Sequence, residues 1–166
     1  MPELTFRDLA ADDFDALHGI ALDWSVVRQL GGWPWPADAA FTRSRCKPFE
    51  GDGFVWAVCA DDVLCGTLGV TRGDLGYMFA PRFHGQGIAT RAAGRAITHA
   101  FATTERAALT GSTWHDNPAS FRVLQKLGFR HWQTCYTHAK ARNCPTLVHH
   151  HRLTRADWER LRSAAQ

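Results

Sequence analysis

The chain has 166 residues, 45% hydrophobic and 21% charged, which suits one globular domain over 1–166 and leaves little room for a second. A net charge of +3 without a dense Lys/Arg stripe argues against a nucleic-acid partner, and no apolar run approaches the roughly 18 residues that span a bilayer. The start Met1-Pro2-Glu3-Leu4 is unlike a signal peptide, and the five scattered cysteines form no Cys-x-x-Cys pair, so reduced thiols and a cytoplasmic address are expected.

Leu4 to Leu9 reads as a first strand, and Ala11 to Leu30 carries helical spacing through Phe14, Leu17, Ile20, Val27 and Leu30, broken into two helices near Gly19 to Asp23. This end is acidic, with Glu3, Asp8, Asp12, Asp13, Asp15 and Asp23 against Arg7. Gly31-Gly32-Trp33-Pro34-Trp35-Pro36 cannot continue a helix and predicts an ordered aromatic loop before a third helix over Ala37 to Cys46. Phe54 to Cys59 and Val63 to Val70 form a hairpin about Ala60-Asp61-Asp62, and Leu75 to Phe79 makes the next strand. A helix over Gly87 to Phe101 shows a narrow stripe of Ile88, Ala92, Ala96 and Ile97, suited to close packing on a sheet. Ala107 to Thr110 is a short strand. Asn117-Pro118-Ala119-Ser120 opens a helix that ends at Leu127-Gly128, and Phe129 to Thr137 and Thr146 to Leu153 are the last strands. Thr154 and Asp157 cap a closing helix through Arg162. The alternation predicts an α/β or α+β sheet with helices on its faces.

The segment from Gly76 to Thr90 combines strand, glycine turn and helix start. Gly85 and Gly87 let a ligand approach the backbone closely, and the unbonded N–H groups of the helix start would face it, which makes a cradle for a diphosphate. A P-loop is excluded because the Lys and Ser/Thr that bind phosphate and magnesium are missing. A dinucleotide fingerprint would place Thr90 where a third glycine or alanine permits close packing, and Glu105 precedes the following strand instead of closing it. Coenzyme A needs only the cradle.

Arg82-Phe83-His84-Gly85-Gln86-Gly87 fits the pattern Arg/Gln-x-x-Gly-x-Gly/Ala. With Gly76-Tyr77-Met78-Phe79-Ala80-Pro81 before it and Asn117-Pro-Ala-Ser120-Phe-Arg-Val-Leu-Gln-Lys-Leu-Gly128-Phe129 after it, the chain resembles the GNAT superfamily of acyl-CoA-dependent N-acetyltransferases, in the branch of the RimJ and RimL ribosomal-protein N-terminal acetyltransferases. The loop Trp33 to Pro36 is similar to an aromatic-proline loop of that branch. The resemblance implies a mixed, mostly antiparallel twisted sheet, splayed at the acetyl-CoA site, with helices on both faces.

The same resemblance implies direct attack of a primary amine on the thioester, without a metal. The pyrophosphate would take N–H groups from His84, Gly85, Gln86, Gly87, Ile88 and Ala89, with Thr90 in the same helix start and Arg82 as a side-chain contact. Tyr77, Met78, Phe79 and Ala80 would pair with the pantetheine arm, and a backbone N–H near Met78 or Phe79 would polarise the carbonyl. Many superfamily members protonate the departing thiolate with a tyrosine seven positions after the helix-opening asparagine. Here that position is Leu124, and the branch suggests Ser120 instead, with Asn117 ordering the turn or binding the pantetheine. Asp74 and His138 are the candidate bases. Trp33, Trp35 and the acidic N-terminal helices are the expected acceptor-side wall. His149, His150 and His151 alternate between strand faces and read as polar strand surface rather than a metal site. The acceptor that the resemblance implies is a protein N-terminal α-amine, with a small-molecule amine (polyamine, amino acid or aminoglycoside) or a non-catalytic acyl-CoA sensor as the alternatives, and a homodimer is an open expectation.

Overall fold

Residues 2–164 are described by the computed structural model. In chain order they form β1 (Leu4–Asp8), α1 (Phe14–Ala21), α2 (Trp24–Val27), α3 (Ala39–Arg45), β2 (Gly53–Ala60), β3 (Val63–Thr71) and β4 (Asp74–Phe79). There follow α4 (Ile88–Thr103), β5 (Ala108–Trp114), α5 (Pro118–Lys126), β6 (Arg130–Ala139), β7 (Cys144–Thr154) and α6 (Arg155–Ala164). The strands make one seven-stranded sheet in the order β1-β2-β3-β4-β5-β7-β6. Every neighbouring pair is antiparallel except β4 and β5, which run parallel across the connection through α4.

The two faces carry separate cores because strand residues alternate sides. On one face, Val58, Leu68, Val70, Leu75 and Phe79 pack against the alanine stripe of α4 and against Leu124 of α5. Ala92, Ala93 and Ala96 are fully buried, and their small side chains let the helix approach the strands closely. On the other face, Ala57, Cys59, Leu64 and Met78 meet Leu17 and Ile20 of α1 and Val26 of α2. The sheet is therefore covered on both sides, with the cradle at the C-terminal end of β4.

Most elements lie where the periodicity puts them, and the differences have local causes. The break in the first helical stretch falls at Leu22 and Asp23, where the Asp23 carboxylate accepts the Ser25 N–H at 2.8 Å and starts α2 as a single turn. Asp38 does the same for α3, accepting the Ala40 and Phe41 N–H groups. Strand β5 runs to Trp114, four residues past the expected end. Gly111 is a strand residue over which the Leu124 side chain packs, within 3.2 Å of where a Cβ would stand. Thr154 and Asp157 cap α6 reciprocally, with the Thr154 hydroxyl 2.7 Å from Oδ2 of Asp157 and the Asp157 N–H on the Thr154 hydroxyl. The five cysteines are unpaired thiols. No helix among the described residues is long and apolar enough to cross a membrane.

Candidate active site

The only registered pairs between β4 and β5 are Asp74 with Thr110 and Leu75 with Gly111. Beyond them β4 stays bonded to β3 as far as Phe79, while β5 follows β7 to Trp114, so the sheet divides into a V. A groove of about 890 Å³ occupies this opening. Close approach of β3 holds the outer arm of the V in place. A Cβ at Gly66 would collide with the Met78 carbonyl, so the two strands meet as tightly as they do only with glycine there.

Register decides which backbone groups the arm presents. The Ala80 N–H bonds to the Cys65 carbonyl at 2.9 Å, and groups two residues apart in a strand point the same way. The Met78 N–H is thus turned toward β3, and the amides of Tyr77 and Phe79 face the cleft. Of the two expected carbonyl-polarising donors, the geometry leaves Phe79. Its own carbonyl is occupied by Nε2 of His84 at 2.8 Å, and because a carbonyl can only accept, that ring nitrogen carries the proton.

The cradle closes the same end of the groove. A 3-10 turn over Pro81–Phe83 uses the His84 N–H, which bonds to the Pro81 carbonyl at 2.9 Å, so this donor of the expected set is spent internally. Gly85 and Gly87 both have φ of 75°, the left-handed region that an L side chain enters only with strain. Gly87 is the N-cap of α4, and the first intrahelical bond runs from Arg91 N–H to Gly87 O at 3.0 Å. The N–H groups from Gly87 to Thr90 precede that bond and have no helical acceptor. A Cβ at Gly85 or Gly87 would meet no protein atom within 4 Å, so the space over the turn is open to a ligand. His84, Gly85, Gly87, Ile88, Ala89 and Thr90 line the groove. Ala80, Arg82 and Gln86 are not among its lining residues: the Arg82 guanidinium lies over the Phe83 ring and the Gln86 amide donates to the Arg82 carbonyl.

The inner arm contributes the start of α5. The Asn117 side chain accepts the Ser120 N–H at 3.1 Å and fixes the first turn. The Ser120 hydroxyl lies 2.6 Å from the Tyr77 hydroxyl, which reaches it across the V from β4. Burial pushes the Tyr77 phenol up to about 12, while the bond to Ser120 pulls it down. Leu124, at the position where a tyrosine was sought, is buried and reaches the groove only as an apolar wall.

The opposite side of the groove is lined by Ser25, Gln29, Gly31 and Gly32 from the α2 region, by Ser112, Trp114, His138, Val148 and His150 from the far strands, and by Asp116 from the turn before α5. Asp74 sits at the fork, its Oδ1 accepting the Thr110 hydroxyl at 2.7 Å. Arg142, from the β6–β7 turn, ties this wall together. It donates to both Asp116 oxygens at 2.7 and 3.0 Å, to the Arg28 carbonyl at 2.8 Å and to Oε1 of Gln29 at 3.1 Å. Arg28 adds a second ion pair to Asp116 at 2.5 Å. Hydrogen bonds from Arg142, then its charge and that of Arg28, hold the Asp116 carboxyl below the usual carboxylate range.

Trp33 and Trp35 do not line the groove. Trp33 stands edge-on to Phe41 at 5.3 Å and Trp35 packs on Trp24 at 5.1 Å, so both brace the loop whose glycines, Gly31 and Gly32, reach the cavity. The acidic N-terminal side chains are absent from the lining too. Asp13 is buried with both oxygens on Arg7 at 2.7 Å, and its carboxyl is lowered chiefly by those bonds. His150, expected as polar strand surface, joins the wall. Alternation had separated it from His149 and His151, and that separation was the available signal. His149 bonds to Thr134, and His151 is buried against Phe121.

A family model described as an acetyltransferase (GNAT) domain matches residues 3–130. No curated protein sequence matches the chain. Solved structures share its fold at low identity. RimL, a ribosomal L7/L12 alpha-N-protein acetyltransferase in complex with coenzyme A, superposes with a TM-score of 0.75 at 18% identity, covering 91% of this chain and 93% of its own. A Vibrio cholerae spermidine N-acetyltransferase with coenzyme A and spermine gives 0.79 at 14%, covering 94% and 98%. The aminoglycoside acetyltransferase AAC(6')-Ib with ribostamycin and coenzyme A gives 0.79 at 16%, covering 96% and 98%. The matched model spans most of the chain, so the chain belongs to the GNAT acetyltransferases and is an N-acetyltransferase.

Proposed function

We propose that the groove takes acetyl-CoA along the V and transfers its acetyl group to a primary monoamine, with a protein N-terminal α-amine as the acceptor. The donor half fits the chain's own residues. Backbone N–H groups at the start of α4 offer several hydrogen bonds and a favourable dipole to a diphosphate, and the cleft-facing edge at Tyr77 and Phe79 offers strand-like pairing to an extended amide-bearing arm. Acetyl-CoA supplies the activated acyl group. The Phe79 N–H is directed at the cleft as a donor to the thioester carbonyl, and one such preorganised donor contributes roughly 3 kcal/mol to transition-state stabilisation. Ser120 faces the departing sulfur, with Asn117 holding its backbone.

The observation that favours a monoamine is the charge of the acceptor wall. The groove lining contains two carboxylates, Asp74 and Asp116, and Asp116 is already neutralised by Arg28 and Arg142. A polyamine or aminoglycoside presents several ammonium groups and needs several free carboxylates, whereas this wall offers one. A terminal α-amine, with an ordinary pKa of about 8, is partly neutral at cellular pH and needs only modest help to lose its proton. Asp74 and His138 border the groove and take that proton directly or through water, and His150 stands beside them on the wall.

Thiol release from acetyl-CoA against N-terminal peptides, spermidine and aminoglycosides tests the reading. Peptides should give a kcat/KM at least about tenfold above the polycations, a difference of about 1.4 kcal/mol. Preference for spermidine or an aminoglycoside by the same factor would overturn the acceptor assignment. Coenzyme A binding without transfer to any amine would favour a sensor. Ser120→Ala should lower kcat more than acetyl-CoA affinity.

A further inference from the structure

Resting on the acetyl-transfer reading above, we infer that Tyr77 is a positioning residue for the leaving group: its hydroxyl donates to Ser120 Oγ across the V and thereby aims the Ser120 proton at the sulfur. The pair stands 2.6 Å apart, one member on β4 and the other at the start of α5, and both line the groove. Direction follows from acidity. A phenol ionises near 10 and an aliphatic hydroxyl far above it, so the phenol is the better donor and the serine oxygen the better acceptor. With that oxygen occupied and the Ser120 backbone held by Asn117, the remaining serine hydrogen is directed away from Tyr77 into the groove.

The tyrosine acts without giving up its proton. As the C–N bond forms, the C–S bond breaks and its electron pair leaves on sulfur, while the amine proton goes to the base side of the groove. Ser120 O–H then hydrogen-bonds the thiolate, and Tyr77 O–H polarises Ser120. Burial holds the Tyr77 phenol near 12, whereas an ordinary thiol ionises near 8.5. Full transfer from Tyr77 to the thiolate would be unfavourable by about three powers of ten, so a chain of two charge-assisted hydrogen bonds is the arrangement the energies support. This also accounts for Leu124. The helix position that would bring a tyrosine to the sulfur is filled by an apolar side chain packed on Gly111, and the phenol comes from the facing strand instead.

A binding experiment isolates the effect from turnover. Calorimetry compares coenzyme A with desulfo-coenzyme A, which lacks the sulfur, from about pH 6 to about pH 9, the range in which a thiol near 8.5 ionises. In the wild type the preference for coenzyme A should grow by at least about tenfold as the thiolate forms, and Tyr77→Phe and Ser120→Ala should both flatten that growth. In turnover, Tyr77→Phe should lower kcat about tenfold with the KM for acetyl-CoA within about twofold, and the double variant should be no slower than Ser120→Ala alone. Should Tyr77→Phe not fold, 3-fluorotyrosine provides the same test with the ring kept, because the only other tyrosine, Tyr136, is exposed. The more acidic phenol should then shift the growth to lower pH. An unchanged pH trend in Tyr77→Phe or in the fluorotyrosine protein overturns the role of Tyr77 alone, an unchanged trend in Ser120→Ala overturns that of Ser120 and the inference, and failure to bind coenzyme A at any pH overturns the donor assignment with it.

Discussion

Replacing Arg142 by methionine removes one side chain and releases three segments at once. Its side chain is 11% exposed, and the guanidinium bridges Asp116 before α5, the Arg28 carbonyl at the end of α2 and Gln29, while lying over the Trp114 ring. Breaking a fully buried ion pair costs about 3–5 kcal/mol, and an exposed one is worth about 0–1 kcal/mol. Asp116 is 27% exposed and keeps Arg28 after the substitution, so the loss falls between these limits, at about 2–3 kcal/mol. For a chain of this size that lowers Tm by about 4–12 °C. The Asp116 carboxyl is held below its unfolded value, so its contribution is present above an unfolded pKa of about 3.9 and is lost as pH falls through the folded one. Thermal unfolding of wild type and Arg142→Met should therefore differ most near neutral pH and converge in acid. Because Arg142 braces the wall opposite the cradle, the KM for the amine should rise while acetyl-CoA affinity stays within about twofold, and Arg142→Lys should recover only part of the loss because an ammonium cannot reproduce the fork. A neutral-pH Tm within about 1 °C of wild type, or a difference that persists undiminished in acid, would refute the reasoning.

Three further outcomes follow from other parts of the molecule. Gly87→Ala should cost about 1 kcal/mol of stability through its positive φ and weaken acetyl-CoA binding at least about tenfold by calorimetry, since the new methyl stands in open space over the helix start; binding within about twofold would contradict the cradle. Burial, followed by the neighbouring imidazoles, lowers the His151 ring from 6.5 to about 4, so the unfolded chain takes up a proton that the folded one refuses. Stability from this source is complete above pH 6.5 and falls by about 3 kcal/mol as pH drops toward 4, and His151→Gln should flatten that part of the pH–stability curve. Leu124→Tyr should destabilise by about 1–3 kcal/mol through overpacking against Gly111 without raising kcat, and a faster enzyme of undiminished Tm would show that the phenol had been missing.

Local signals in the sequence carried the donor half of the site further than the acceptor half. Gly85, Gly87 and the alanine stripe of α4 state their geometry in a short segment, since positive φ and close helix packing are demands on the residues themselves. The cap residues Asn117 and Thr154 were readable for the same reason. The Tyr77–Ser120 pair joins residues 43 positions apart and exists only because α5 lies over the end of β4. Arg142 carries no local signal in the sequence, because only the fold brings Asp116 and the Arg28 carbonyl to it. The acidic N-terminal stretch shows that charge counts do not reveal partners: Asp13 serves Arg7 and the Ala10 N–H, and Asp23 serves a helix cap. Nor does composition show that the tryptophans at 33 and 35 brace, with their rings, a loop whose glycines do the lining.

The division between β4 and β5 also bears on how the chain behaves in a crowded solution. Splitting a sheet exposes two strand edges in its middle, and exposed edges invite pairing with other chains. Here the outer edge is too short to serve as a template. It offers the amides of Tyr77 and Phe79, the Phe79 carbonyl is blocked by His84, and the glycine turn bends the backbone away directly afterwards. A foreign strand would find the Tyr77 amide and carbonyl and the Phe79 amide, then a blocked acceptor, which is too short a run to template pairing. The same curtailed edge that suits a narrow, amide-bearing arm thus protects the protein from strand-mediated self-association, and His84→Ala would loosen that protection by returning the Phe79 carbonyl to the edge.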